Sequence, residues 1–197
     1  MFTEKDDTLR NIIKRFQNLT LNSTCCHKKI KWLRPSAFRA VNNSTQQGVA
    51  ADTPVVPVMY PTQVFDLNNE YDPVCSTFTP KQDGIYSVIA SVDFYPEIAH
   101  VNHRVLITIL INGNPVVVDN DFFGEITFRN VTSVSAILQL TAGDAVNVSA
   151  ESSTNGFLTD IPLGMHFEAA RLPSPLINDP STTIITSGSS IFSGRDL

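Results

Sequence analysis

The segment FYPEIAHVNH, which ends at His103, holds the densest set of side chains in this chain that could do chemistry. His100 and His103 lie here close in sequence to Asp93 and Glu97. Imidazole and carboxylate groups are common ligands of zinc and other transition metals. The segment is also typical of a polar loop between two strands, and we prefer that interpretation. We therefore expect no cofactor, with zinc at His100 and His103 as the alternative.

A second polar group, formed by Asp119, Asn120 and Asp121, offers oxygen atoms of the kind that calcium prefers. A run of this composition also occurs in ordinary solvated turns, because Asp and Asn side chains hydrogen-bond to nearby backbone groups. We expect such a turn between two strands, and a calcium site is the alternative.

Three cysteines occur in the chain, and two of them, Cys25 and Cys26, are adjacent. Adjacent cysteines rarely pair with each other because the disulfide would be strained. His27 could act with them as a metal ligand. No second Cys/His cluster, however, occurs at the spacing of a zinc site. Cys25 and Cys26 are therefore candidates for cross-linking to another chain.

Signatures of catalysis are weak. A hydrolase needs a nucleophile beside a histidine and an acid, and no Gly-x-Ser-x-Gly elbow occurs in the sequence. Glycine-rich phosphate loops and dinucleotide fingerprints are absent as well. We predict that this protein is not an enzyme.

The composition indicates one globular domain with tails. Of 197 residues, 42% are hydrophobic and 17% are charged, and no apolar run is long enough to span a bilayer. The start MFTEKDD is acidic and lacks the apolar block of a secretory signal. We expect synthesis in the cytoplasm and no membrane insertion.

Charge is divided unevenly along the chain. Residues 1–34 hold eight Lys/Arg and three Asp/Glu, and the other residues hold six and sixteen, which gives +5 and −10 and the total of −5. A basic leader on an acidic body suggests a docking segment attached to a displayed domain. We expect this segment to bind other assembly proteins rather than nucleic acid, since the solvent face of a helix has a similar composition.

The elements that must position these groups are a short helix and many strands. Residues 4–20 have an amphipathic helical pattern, whose apolar side could join copies of the chain or lie on its own domain. From Ser36 onward, short apolar runs alternate with Pro, Gly, Asn and Asp, which is typical of an all-β sandwich or barrel. We predict ten strands, over residues 37–41, 55–59, 63–66, 76–79, 84–94, 104–111, 115–119, 130–140, 145–152 and 165–172.

This pattern divides the chain into three parts. We assign residues 1–34 to the docking segment, 35–173 to the β-domain and 174–197 to a C-terminal tail rich in Ser, Thr and Pro. We expect the tail to be mobile, and an added edge strand in an assembly is the alternative for its β-prone stretches.

The hairpin HRVLITILINGNPVVVD, residues 103–119, raises a question of packing. Asn112 and Gly113 tolerate the positive φ angles of a type I′ turn. Its first strand is apolar on the face of Ile107 and Ile109 and also on the face of Leu106 and Leu110. In a single-domain sandwich the second apolar face needs a partner, and another copy of the same chain would provide it.

Over residues 36–172 the sequence resembles the globular head of complement C1q and the wider TNF-like jelly rolls. The resemblance begins with SAFRA at 36–40 and continues with the Phe-x5-Gly-x-Tyr spacing of Phe78, Gly84 and Tyr86. It extends through LINGN and LQLTAGDAV to the closing strand MHFEAARL. The resemblance implies an all-β jelly roll of about ten antiparallel strands, with the short amphipathic helix before it.

The resemblance also implies a homotrimer and a function in binding or display without catalysis. The residues that it assigns to the core and the trimer interface are Phe78, Gly84, Tyr86, Ile107, Ile109, Leu138, Leu140 and Phe167.

The sequence departs from the family pattern at three points. Val88 stands where the family usually has an aromatic residue, Phe167 begins Phe-Glu-Ala where Phe-x-Gly is usual, and no Gly-X-Y run occurs. The chain is similar to the C1q-like surface proteins of spore-forming bacilli, which implies a structural component of the spore surface or exosporium. A ligand- or receptor-binding fibre tip, as in phages or adhesins, is the alternative.

Overall fold

The computed structural model describes residues 35–125 and 128–173. The predicted helix over residues 4–20, the cross-linking candidates Cys25 and Cys26, and the tail at 174–197 lie outside these residues. Within them the fold is a sandwich of two antiparallel sheets with no helix, which confirms the all-β jelly-roll prediction. Its strands are β1 (Ala37–Val41), β2 (Gln47–Val49), β3 (Thr62–Asp66), β4 (Tyr71–Asp72), β5 (Thr77–Phe78), β6 (Gly84–Pro96), β7 (His103–Ile111), β8 (Asn114–Phe123), β9 (Asn130–Leu140), β10 (Val146–Ser152), β11 (Gly156–Leu158) and β12 (His166–Arg171).

The larger sheet has seven strands in the order β2-β11-β6-β12-β1-β3, with β9 also paired to β6. Strand β9 runs along one edge of β6 from Gly84 to Phe94, so β12 and β11 share the other edge. The smaller sheet has five strands in the order β4-β5-β10-β7-β8. Strand β7 therefore lies in its interior, and β8 forms an edge.

The core between the sheets is centred on aromatic side chains. Phe38 of β1 stacks on Tyr71 with ring centroids 4.6 Å apart and on Phe78 at 4.8 Å, and meets the edge of Phe167 at 5.0 Å. All four rings are buried. Aromatic pairs in these geometries stabilise a core beyond the area that they remove from water. They connect β1 and β12 of one sheet to β4 and β5 of the other.

Nine of the ten predicted strands are present. The segment 55–59 is not a strand, because Pro54 and Pro57 interrupt its backbone donors. The segment nevertheless lies alongside β10. Val55 and Ala150 exchange backbone hydrogen bonds, and the Val58 N–H donates to the Val148 carbonyl at 2.8 Å. Strands β2, β4 and β11 were not predicted, since two or three residues are too few to show an alternating pattern.

Strand β8 is longer than predicted and continues to Phe123. The predicted turn at Asp119, Asn120 and Asp121 is therefore wrong, because these residues belong to the strand. Successive side chains of a strand point to opposite sides, so the three residues do not converge on one cation. Asp119 instead accepts a 2.8 Å hydrogen bond from the Asn120 N–H.

The apolar second face of β7 is largely covered within one copy of the chain. Leu110 and Thr108 are only 7% and 8% exposed, and Leu106 is half-buried. Because β7 lies between β10 and β8, side chains on both neighbouring strands flank it. The second face of β7 thus does not need another copy in the way that the sequence suggested.

Both ends of the described domain lie at the same end of the sandwich. Ala37 at the start of β1 pairs with Ala170 near the end of β12, and Arg171 pairs with Tyr86 near the start of β6. The loops at 97–102 and 153–155, and residues 124–125 and 128–129, which follow β6, β10 and β8, therefore lie at the opposite end. We call this opposite end the apex.

Candidate functional site

The residues that the resemblance assigned to core and interface lie mainly in the core of the protomer. Six have no exposed area, namely Phe78, Tyr86, Ile107, Ile109, Leu140 and Phe167, and Leu138 packs against them while partly buried. Gly84 is buried as well, and a Cβ at this position would collide with the Arg171 guanidinium. A side chain without exposed area is not available to a second copy, so any contact between copies would use other residues.

The two histidines proposed as metal ligands are in different environments. His100 is exposed in the β6–β7 loop, with a positive φ of 61°, whereas His103 begins β7 and is 3% exposed. His103 lies between the rings of Phe94 and Phe123, with centroids 5.5 and 5.3 Å away. Among residues 35–125 and 128–173, no three His, Cys, Asp or Glu side chains are grouped as ligands of a metal ion.

His103 has one satisfied and one free ring nitrogen. Its Nδ1 lies 3.0 Å from the Val101 carbonyl, which can only accept, so Nδ1 carries the proton. Nε2 is buried and has no hydrogen-bond partner among the described residues.

A cleft of about 610 Å³ opens at the apex next to His103. We call it the apical cleft. Arg104 and Phe122 line it from the paired strands β7 and β8, and Asp52, Asn102 and Ser153 line it from three loops. Arg104 is held by a 2.7 Å ion pair with Glu151 and lies 3.9 Å from Asp52.

A second candidate surface is the outward side of the seven-stranded sheet, which we call the outer face. It carries Val131 and Ile137 of β9, which are 50% and 70% exposed, and the half-buried Ile85 and Ile89 of β6. The positions between them are small: Ser133 and Ser135 are exposed on β9, and Ser87 lies half-buried on β6. Isolated aliphatic side chains on a surface of small residues are suited to close packing against another protein.

The charged groups of the outer face already have partners. Arg39 of β1 forms a 3.1 Å ion pair with Glu168 of β12, and His166 Nδ1 lies 3.5 Å from the same carboxylate. Burial lowers the pKa of His166, with Arg39 acting in the same direction and Glu168 opposing it. His166 is therefore held in its neutral form to lower pH than a free imidazole.

Asp93 lies beside this face near the apex. Its side chain is 1% exposed, and Oδ2 is 2.9 Å from Arg129 Nε. Burial raises the pKa of Asp93, while Arg129 and Thr159 act in the opposite direction. A Cβ on Gly164 would lie within 3.0 Å of the Asp93 side chain, so the glycine permits the loop before β12 to cover the carboxylate.

Comparison with known protein families identifies the domain. The sequence model of the C1q domain matches residues 37–166, which is more than half of the chain. The chain belongs to the C1q domain family. C1q and TNF-like domains are typically trimeric, non-catalytic modules for binding proteins or other ligands. The resemblance noted in the sequence is thereby confirmed at the level of the family.

Solved structures of the same fold include both C1q and TNF members. The Eiger TNF of S. frugiperda matches with a TM-score of 0.52 and 13% identity, over 77% of this chain and all of that one. The globular domain of zebrafish complement 1qA matches with a TM-score of 0.50 and 21% identity, over 71% of this chain and 98% of that one. Murine APRIL at pH 8.0 matches with a TM-score of 0.52 and 16% identity, over 71% of this chain and all of that one. No curated protein matches the chain.

No helix long and apolar enough to cross a membrane is found in the described part of the C1q-family chain.

Sequence reasoning found His103 but missed the rest of the apical cleft. Asp52, Phe122 and Ser153 come from three distant parts of the chain, and nothing in the sequence predicts that they meet. One signal was available for Phe122, because two consecutive phenylalanines in a strand place one ring on the outward side.

Proposed function

We propose that this C1q-family chain forms a homotrimer and serves as a non-catalytic head for binding and display. The match of the C1q domain to residues 37–166 carries the proposal, because domains of this family typically act as trimeric interaction modules. The neighbours in the trimer are copies of the chain itself. No cofactor is part of this function.

The outer face is the surface that we assign to the contact between copies. Ile137 and Val131 are large apolar side chains that water reaches in the isolated protomer. Burying them in an interface would stabilise the assembly by the usual hydrophobic contribution. The Arg39–Glu168 pair would enter the interface already neutralised, so no isolated charge would be buried.

The proposal also gives each end of the domain a role. The chain enters and leaves the described domain at one end, and the apex is at the other. The basic segment 1–34 would attach the head to other assembly proteins, with Cys25 and Cys26 as cross-linking groups. The acidic domain would then be displayed with its apex outward.

The surface of a bacterial spore, reached from the cytoplasm, is the location that we propose for this display. It is supported by the likeness of the sequence to spore-surface C1q-like proteins and by the adjacent cysteines and Ser/Thr-rich tail. Immunogold labelling of spores and vegetative cells with antibody to the chain would test it. Labelling confined to the cytoplasm of both would overturn this part.

Paired substitutions test the assignment of the interface. Ile137→Asp puts a charge on the outer face, and Val118→Asp puts the same charge at a position 56% exposed on β8 of the other sheet. We expect sedimentation velocity to show that Ile137→Asp dissociates the trimer and that Val118→Asp leaves it intact. Dissociation by Val118→Asp alone would place the interface on the smaller sheet.

A further inference from the structure

We propose that the apical cleft is a binding site for a neutral saccharide. This inference goes beyond trimer formation, because every residue that it uses belongs to a single copy of the chain. The cleft combines a fixed wall, an exposed aromatic ring, paired charges and exposed polar groups.

The wall of the cleft is fixed before any ligand binds. The Arg104 N–H donates to Ser153 Oγ at 2.9 Å, and the Ser153 N–H donates back to the Arg104 carbonyl at 3.1 Å. The loop that carries Asp52 is tied to the same strand end by a 2.7 Å bond from the Asp52 N–H to the Ser152 carbonyl. A preformed wall reduces the conformational entropy that the protein loses when a ligand binds.

Phe122 supplies an aromatic surface on one side. It is 77% exposed, directly opposite Arg104 in the β7–β8 ladder. A phenylalanine ring held in water on a strand does not contribute to the core, so its face is available to contact a ligand in the cleft. The C–H side of a pyranose ring is an apolar surface of matching size, and stacking there would remove the ring from water.

The charged side chains at the apical cleft determine which polar ligands it can bind. Asp52 and Arg104 are the Asp and Arg side chains that line the cleft, and the Arg104 guanidinium is also paired with Glu151. The guanidinium is therefore already neutralised, which favours a ligand without net charge over an anionic one such as a phosphate or a sialylated sugar. Neutral hydroxyl groups can donate to the exposed Asp52 carboxylate and accept from the Asn102 amide and the guanidinium.

Two buried polar atoms in the cleft wall have hydrogen-bonding capacity that the described residues do not use. These are His103 Nε2, an acceptor, and Arg104 Nε, a donor. Buried polar atoms almost always have a partner in folded proteins. Both atoms have essentially no exposed area, so the groups that a ligand in the cleft meets are the Asp52 carboxylate, the Asn102 amide and the outer nitrogens of the guanidinium. The volume of about 610 Å³ is within the usual range for small-ligand sites.

The test uses the full chain and a printed array of neutral hexose and N-acetylhexosamine oligomers, with sialylated and sulfated glycans and lysine-rich peptides on the same surface. We expect retention on neutral glycans. Titration calorimetry with the best neutral oligomer then compares the wild type with Phe122→Ala and Asp52→Asn. Each substitution should weaken binding by about tenfold or more, as expected for an anchoring contact.

Phe128→Ala is the matched control, since Phe128 is also an exposed phenylalanine, at 62%, and does not line the cleft. It should leave the affinity unchanged. No retention of neutral glycans, preference for the anionic glycans or the peptides, or equal loss in Phe128→Ala would overturn the proposal. Because titration reports binding per protomer, the outcome is separate from that of the trimer test.

Discussion

Glu70 and Asp93 are both buried carboxylates, and their surroundings give them opposite effects on stability. Glu70 accepts from Ser36 Oγ at 2.5 Å, from the Lys81 N–H at 2.7 Å and from Asn68 Nδ2 at 3.0 Å. It thereby joins the start of β1 to the loops on both sides of β4 and β5. Asp93 lies close to the cationic side chain of Arg129, which is 46% exposed.

Replacing Glu70 should be costly. In Glu70→Ala the Ser36 hydroxyl and the Lys81 N–H lose their acceptor, and we expect a loss of about 3 kcal/mol in the free energy of unfolding. Urea denaturation measures it. Glu97→Ala, at an exposed position in the β6–β7 loop, should change stability by less than about 0.5 kcal/mol. Equal effects of the two substitutions would show that the Glu70 hydrogen bonds do not stabilise the fold.

The contribution of Asp93 to the free energy of unfolding should instead depend on pH. A carboxyl whose folded pKa lies above its unfolded pKa of about 3.9 stabilises the fold below that value, and this contribution is lost as pH rises through the folded pKa. Asp93→Asn removes the titration. The stability of the wild type relative to Asp93→Asn should therefore increase as pH falls from 7 toward 4. Urea denaturation of both proteins across this range tests it, and parallel profiles would contradict it.

At the scale of elements, the long strands could be predicted and the short ones could not. Strands β6, β7 and β9 show clear apolar patterns over many residues, whereas β2, β4 and β11 depend on tertiary pairing. The turn at Asn112 and Gly113 was also predicted, and both have positive φ angles, 52° and 78°. The apical cleft could not be predicted, because its loops meet only after both sheets have formed.

The sequence also did not reveal that the β7–β8 hairpin turn is joined to the connection between β9 and β10, which lie in different sheets. Asn112 Nδ2 donates to Asp144 Oδ1 at 2.9 Å, and Asn112 Oδ1 accepts from the Ala145 N–H at 2.9 Å. Asp144 Oδ2 in turn accepts from the Thr141 N–H at 2.7 Å. This network connects the β7–β8 turn to the β9–β10 turn at the end opposite the apex.

Asn112→Ala should break this connection. The substitution removes both side-chain hydrogen bonds and places alanine at a positive φ, for an expected loss of about 2 kcal/mol. Thermal or urea unfolding measures the loss. Asn114→Ala is the control, because Asn114 is exposed and, within the described part of the chain, its side chain bonds only to the Asn112 carbonyl, at 3.3 Å. A similar effect of both substitutions would mean that the link between the turns has no special role.

At the scale of the whole molecule, the proposed function would separate attachment from display. The described domain receives and releases the chain at one end and carries the apical cleft at the other. Three copies joined through their outer faces would present three clefts together. Multivalent presentation of this kind raises the overall strength of binding to a repetitive surface without any new contact in a single site.

The solution mass of the full chain tests the central claim most directly. Light scattering on the purified protein in reductant should give three times the 21.7 kDa of one chain. Without reductant, larger species that return to this mass on reduction would assign Cys25 and Cys26 to cross-links between trimers. A stable monomer of 21.7 kDa in both conditions would contradict the trimeric head and leave the apolar outer face without a partner.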